Sequence, residues 1–255
     1  QKDVYTAAYV MRNPSQDSET PSRFFRMTHE QEEYDTYQKK ESKLPELIET
    51  QRNQEVHPDV FVVDQSSFFD LPRTPFVYRF GDEILSAISQ HSSVEEVAEA
   101  VLEGLSTGND DRFLRSWWEI EPEDIGPEER YRSIAMGGDP VEFFDSPEMV
   151  VDWANEGEEL SNFEGSHLRN RGYYADEGIH FRKFGNYFTV RKHEAGWFFT
   201  PTARLIKTDT VENDLTVMYM LCSSMNRYIL NVLNTQIHFN ISAVESVPAE
   251  LSYEV

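Results

Sequence analysis

Residues 165–193 read GSHLRNRGYYADEGIHFRKFGNYFTVRKH, and their composition departs from the rest of the chain. Short β-type runs at 187–191, and just beyond at 197–199, are broken by glycine and polar residues, the pattern of short half-buried strands. Six cations (Arg169, Arg171, Arg182, Lys183, Arg191 and Lys192) stand against Asp176 and Glu177, a local charge of +4. Tyr173, Tyr174, Phe181, Phe184, Tyr187 and Phe188 interleave with them, as do His167, His180 and His193.

Helical signals flank this region. Ser93-Val94-Glu95-Glu96 has the capping-box pattern, and Val94, Val97, Ala98, Val101 and Leu102 keep helical spacing up to a terminating Gly104. A second helix is predicted over 214–233, with Leu215, Met218, Leu221, Cys222, Met225, Ile229 and Leu233 along one side, a core face rather than a contact face. Toward the N-terminus, 4–11 reads as a buried strand, 23–27 and 59–63 as short strands, and 28–54 as an exposed helix interrupted by Pro45. The best candidate linker is 71–75. Together these predict a mixed α and β (α+β) chain without internal repeats.

The 255 residues carry 46 acidic and 23 basic side chains, a net charge of −23. With +4 at 165–193, the remainder carries −27. A uniform −23 argues against nucleic acid, whose phosphates demand positive charge. Resolved along the chain, it directs attention to one place. Sixteen Arg, seven Lys and many carboxylates suit a protein kept hydrated in concentrated salt, the halophilic reading; an ordinary acidic protein is the alternative. In strong salt, counterion release contributes less, so base-edge contacts, shape and stacking carry more of any DNA affinity. The single Cys222 excludes a disulfide framework and a thiolate zinc site. No apolar run approaches bilayer length and no signal peptide is visible, so the expectation is a cytoplasmic protein with no membrane partner. The chain starts at Gln1 inside a strand-like run, which reads as an excised or processed piece.

Catalytic signatures are sparse. Glycine-rich nucleotide loops, a G-x-S-x-G elbow and H-E-x-x-H are absent. Pro58-Asp59 with Asp64-x-Ser66 is similar to a restriction-nuclease metal core, which needs two carboxylates and a lysine; the lysine is missing, and the two acids more simply bound a strand. Two readings of 165–193 stay open. One is a nucleic-acid surface of cations and stacking rings; the other is a sheet whose aromatics are core and whose arginines pair with surplus acids. The segment 105–115, with Thr107, Gly108 and Asn109 in a tight turn and Arg112 and Arg115 one helical step apart, is a second candidate or simply a loop.

The stretch GLSTGNDDRFLRSWWEI (104–120) resembles the "G-x-x-TGDN-x-RFLR-x-W-x-E" segment of large adenine-specific DNA methyltransferases, the PglX enzymes of BREX phage-defence systems and related methylating type II restriction enzymes. Further blocks follow in the family's order. Gly137-Gly138 and 150–159 (VVDWANEGEE) are similar to its "GG … W-x-N-x-G"; YYADEGIHF (173–181) to "Y-x-x-EGI"; 188–191 with 196–199 to "FSAR … G-x-x-F"; and 221–250 to its C-terminal block.

The resemblance implies that 1–72 is the end of a methyltransferase-like sheet with a connecting helix. It implies that 73–255 is a DNA target-recognition domain of short strands and helices. The family's S-adenosylmethionine loop and Asn-Pro-Pro-Tyr motif are absent here, so no cofactor and no catalytic or metal-binding residue is expected in this chain; S-adenosylmethionine is expected in the parent enzyme. Implied partners are double-stranded DNA, an upstream methyltransferase domain and other defence proteins. The candidate DNA-binding residues are Thr107, Gly108, Asn109, Arg112, Arg115, Arg169, Arg171, Arg182, Lys183 and Arg191. Asn109-Asp110 inverts the family's Asp-Asn, which leaves side-chain roles at those two positions open. The competing function is an acidic protein-interaction module; a nuclease is a third.

Overall fold

The computed structural model describes residues 21–28, 31–64, 66, 77–234 and 238–251. The strand expected at 4–11 and the linker at 71–75 lie outside them. The chain divides into two units, Gln1–Asp70 and Leu71–Val255.

In the first unit, β1 (Ser22–Phe25) pairs antiparallel with β2 (Val60–Val63), placing Phe24 opposite Phe61. Between them runs α1 (Tyr37–Arg52), capped by the Thr36 hydroxyl, which accepts from the Lys39 N–H. Pro45 does not interrupt it. Glu41, four residues earlier, is exposed, so the carbonyl that proline leaves without a donor faces water. Asp59 is buried, its two oxygens taken by Tyr34 Oη at 2.9 Å and Gln31 Nε2 at 2.8 Å. That carboxylate organises the fold of its unit.

The second unit is built on an antiparallel sheet in the order β10-β9-β12-β3, comprising β3 (Ala100–Leu102), β9 (Gly178–Arg182), β10 (Val190–His193) and β12 (Ala203–Lys207). Strand alternation sends Ile179, Phe181, Val190 and Ile206 into one core with α6 (Val211–Leu221), α7 (Ser224–Leu233) and α8 (Ile241–Glu245). Ala203 and Leu205 enter a second core. They pack there with a sheet in the order β11-β6-β7-β5: β5 (Leu114–Ser116), β6 (Tyr131–Ala135), β7 (Met149–Asp152) and β11 (Phe198–Phe199). Among the described residues no helix is long and apolar enough to cross a membrane.

After α2 (Asp82–Gln90), two predicted helices differ. The capping-box helix is only α3 (Val94–Val97), with the Ser93 N–H donating to the Glu96 carboxylate at 2.8 Å. Ala98 is extended and the next residues become β3, because pairing with β12 satisfies a whole edge of backbone groups that the helical period would leave on a lone turn. Gly104 is therefore no helix stop. It is where the chain crosses between sheets: an added Cβ would stand 1.8 Å from the Phe199 carbonyl oxygen. The predicted helix over 214–233 is two, α6 and α7. Ser223 turns extended and caps α7, accepting from the Asn226 N–H at 3.2 Å, while the Asn226 amide donates to the Met220 and Pro248 carbonyls.

Between the two sheets His180 and His193 are buried, their rings perpendicular at 5.4 Å. His193 Nε2–H donates to the Trp197 carbonyl, and both Nδ1 atoms are buried without a partner. Burial holds His180 well below the ordinary 6.5 and pushes His193 down to about 4. Below pH 6.5 the unfolded chain thus binds more protons than the folded one. Stability is complete above about pH 7 and is lost as pH falls through 6.5 toward 4. Between pH 7 and pH 5 His193 alone should remove about 2 kcal/mol. Urea midpoints of the wild type should fall over this range more steeply than those of His193→Gln, whose amide keeps the bond to Trp197; equal slopes would contradict the assignment.

Candidate nucleic-acid interface

The turn at 107–110 is set by a short ladder in which β4 (Leu105–Ser106) pairs with β8 (His167–Leu168). Thr107 is buried, its hydroxyl bonded to the Asp110 carboxylate and accepting from the Asn109 N–H. Asn109 Oδ1 then accepts from the Arg112 N–H at 3.1 Å, opening α4 (Asp110–Phe113). Asn and Asp cap helices equally well, so the Asn109-Asp110 inversion costs the turn nothing. Gly108 has φ +70°, and an added Cβ would lie 2.6 Å from the Gly165 backbone. Two chain segments therefore touch backbone to backbone, and only glycine allows it.

Beside this turn lies an unusual one. Residues 155–157 are all left-handed, with φ of 51° at Asn155, 55° at Glu156 and 73° at Gly157, inside α5 (Ala154–Ser161). Two consecutive non-glycine residues in this region store strain of the kind found at functional sites. Arg171 braces the turn, its guanidinium 5.2 Å from the Trp153 ring centroid and donating to the Glu156 carbonyl at 2.5 Å. Arg112 bridges to the same element through the Glu159 carboxylate, its guanidinium resting against both the Phe113 and Phe163 rings, which pack edge-to-face on each other at 5.2 Å. The motifs at 107–112 and 153–157 are thus brought together. The open cavity of about 530 Å³ between them is lined by Arg112, Asn155, Glu158, Glu159, Asn162 and Phe163. Arg115, on β5, turns back on its own segment, donating to the Asp111 and Leu114 carbonyls.

The basic segment proves to be mostly closed. Arg191 is 3% exposed, bonded to the Asp145 carboxylate at 2.8 Å and the Gly137 and Asp139 carbonyls. It clasps the 137–145 loop and has no face to offer DNA, a correction to its place among the contact candidates. Lys192 pairs with Glu194. Phe181, Phe188, His180 and His193 are core. Arg169 and Lys183 reach the Glu103 carboxylate at 3.3 and 3.8 Å. Arg171 and Arg182 alone of the six have no carboxylate partner among the described residues; Arg182 Nε is buried without an acceptor and its guanidinium lies against Gly185. Glu103 and Arg204 escaped the sequence reading because they fall outside the charged window. The left-handed turn was hidden because Asn155-Glu156 carries no glycine signal.

No protein-family model matches the chain. Over 234 residues, 89% of its length, it is 24% identical to the adenine-specific methyltransferase BrxX of Escherichia coli O9:H4 (strain HS). Over 206 residues, 74% of its length, it is 23% identical to the adenine-specific methyltransferase PglX of Lacticaseibacillus casei (strain Zhang). The chain spans 18% and 17% of these curated relatives. The similarity supports a distant relationship to adenine-specific methyltransferases.

Three substitutions check the roles given to Gly108, Arg191 and Arg182. Gly108→Ala should cost about 2 kcal/mol or more, from the left-handed backbone and the collision with Gly165. Arg191→Glu should cost at least as much by leaving charge buried and unpaired, whereas Arg182→Glu should leave the urea midpoint nearly unchanged. Equal effects of the two arginine changes would show that the burial assignment is wrong.

Proposed function

We propose that the chain is the DNA-binding target-recognition part of a site-specific adenine N6 DNA methyltransferase acting in phage defence or restriction–modification. The observation that carries this reading is the similarity to two adenine-specific methyltransferases across most of the chain. The convergence of the 107–112 and 153–157 motifs at one strained, backbone-packed corner supports it, because such corners hold side chains at fixed positions on a duplex. In this reading S-adenosylmethionine and the flipped adenine belong to another domain. Two glycine turns that could have offered the cofactor a loop are occupied by the chain itself: Gly165 packs on Gly108, and Thr202 and Arg191 on Gly137-Gly138.

The cations without a carboxylate partner among the described residues reassign the contacts. Arg171 and Arg182 become the leading contact residues of the basic segment. Arg112, Arg169 and Lys183 can contribute only by exchanging a carboxylate for phosphate. The extensive internal pairing gives the acidic protein-interaction module its one supporting observation, and duplex binding separates the two. In the full-length protein, Arg171→Glu with Arg182→Glu should weaken duplex binding about tenfold at low salt, with adenine methylation falling in kcat/KM. Unaltered duplex affinity and methylation would contradict the recognition reading.

A further inference from the structure

Three strand ends meet at one corner of the β10-β9-β12-β3 sheet. Arg204 on β12 is opposite Phe181 and shares its face, and the next register step beyond Leu205–Leu102 brings Glu103 opposite Arg204. Lys183 follows β9, its N–H donating to the Thr202 carbonyl, and Arg169 follows β8. The Glu103 carboxylate takes all three cations: Arg204 closely, Arg169 at 3.3 Å and Lys183 at 3.8 Å. Asn170, left-handed at φ 55°, donates to the Glu103 carbonyl and fixes the approach of Arg169.

The three members are not equivalent. Arg204 is 6% exposed and also bonds the Phe239 carbonyl at 2.6 Å, so it is a fixed part of the interior. Arg169 is 53% exposed, and the distances of Arg169 and Lys183 are those of loose pairs. Among the described residues, one carboxylate pairs with three cations, an excess of two positive charges in a chain with 46 acids. Beside them the Phe184 ring is exposed, 5.4 Å from Lys183 Nζ and packed on His238. Cations gathered in excess over their one carboxylate, next to an exposed aromatic face, match a sugar–phosphate group better than a carboxylate partner.

We propose that this corner binds phosphate, with Arg169 and Lys183 as ligands and Glu103 as the resident anion that a nucleic-acid backbone phosphate displaces from them. Arg204 stays paired throughout and anchors Glu103. The site rests on the recognition reading only for the source of its phosphate. Glu103 then sets the affinity: it keeps the cations apart from adventitious anions and lowers non-specific binding by competing for them.

Anisotropy of a labelled short duplex tests this with the 255-residue chain at low ionic strength, with inorganic pyrophosphate titrated separately. Glu103→Gln should bind the duplex about threefold more tightly, the scale of a weak ion pair released. Arg169→Gln with Lys183→Gln should bind about tenfold more weakly. Because Glu103→Gln weakens the partner of buried Arg204, the double variant, at exposed Arg169 and half-buried Lys183, leaves that buried pair intact and its urea midpoint separates lost binding from lost folding. Duplex binding that none of these variants moves overturns the site and leaves the recognition reading standing. Pyrophosphate binding lost in the double variant, with no duplex binding in the wild type, upholds a site for free phosphates and overturns the recognition reading. Binding of neither overturns both.

Discussion

A charged guanidinium buried at the Arg204 position constrains the whole second unit. Removing that charge from water is costly unless a carboxylate and further acceptors meet it, and Glu103 and the Phe239 carbonyl do so. To bring Glu103 there, the chain after α3 must abandon its helical period and run as β3 along β12. Gly104 must then pass under the Phe199 carbonyl to reach the next sheet. The β4–β8 ladder follows directly, and with it the place of the 107–110 turn and of Arg169.

That geometry changes the meaning of the charge pattern. A local surplus of +4 looks like an electrostatic footprint, yet Arg191 and Lys192 are spent within the fold and Arg169 and Lys183 share one carboxylate. What remains positive is small and specific: Arg171 at the left-handed turn, Arg182 beside Gly185, and the under-compensated Glu103 corner. An acidic protein that binds nucleic acid through such points relies on positioned contacts more than on a diffuse field.

The sequence made some of this legible and concealed the rest for physical reasons. The mixed α and β class, the strands near 23–27 and 59–63 and the core role of the last helices were readable because apolar period and turn chemistry act locally. The helix expected through Val101 was lost because a short amphipathic run has no means of announcing a strand partner a hundred residues away. The break at Ser223 was hidden because it lies within an apolar face that keeps helical spacing on both sides of it. Within the site, Thr107, Gly108 and Asn109 sit in the expected turn. Arg191 was misjudged because composition cannot separate an arginine facing solvent from one clasping a loop.

The surface proposed to meet DNA lies around Glu103, the 107–110 turn and the 155–157 turn. Hydrogen exchange measured on the protein with and without excess duplex tests it directly. The account predicts slowed amide exchange at 103–112, 154–157, 169–172 and 182–185, with α6 and α7 unchanged. Protection confined to those helices, or none anywhere while the duplex is bound, would contradict it.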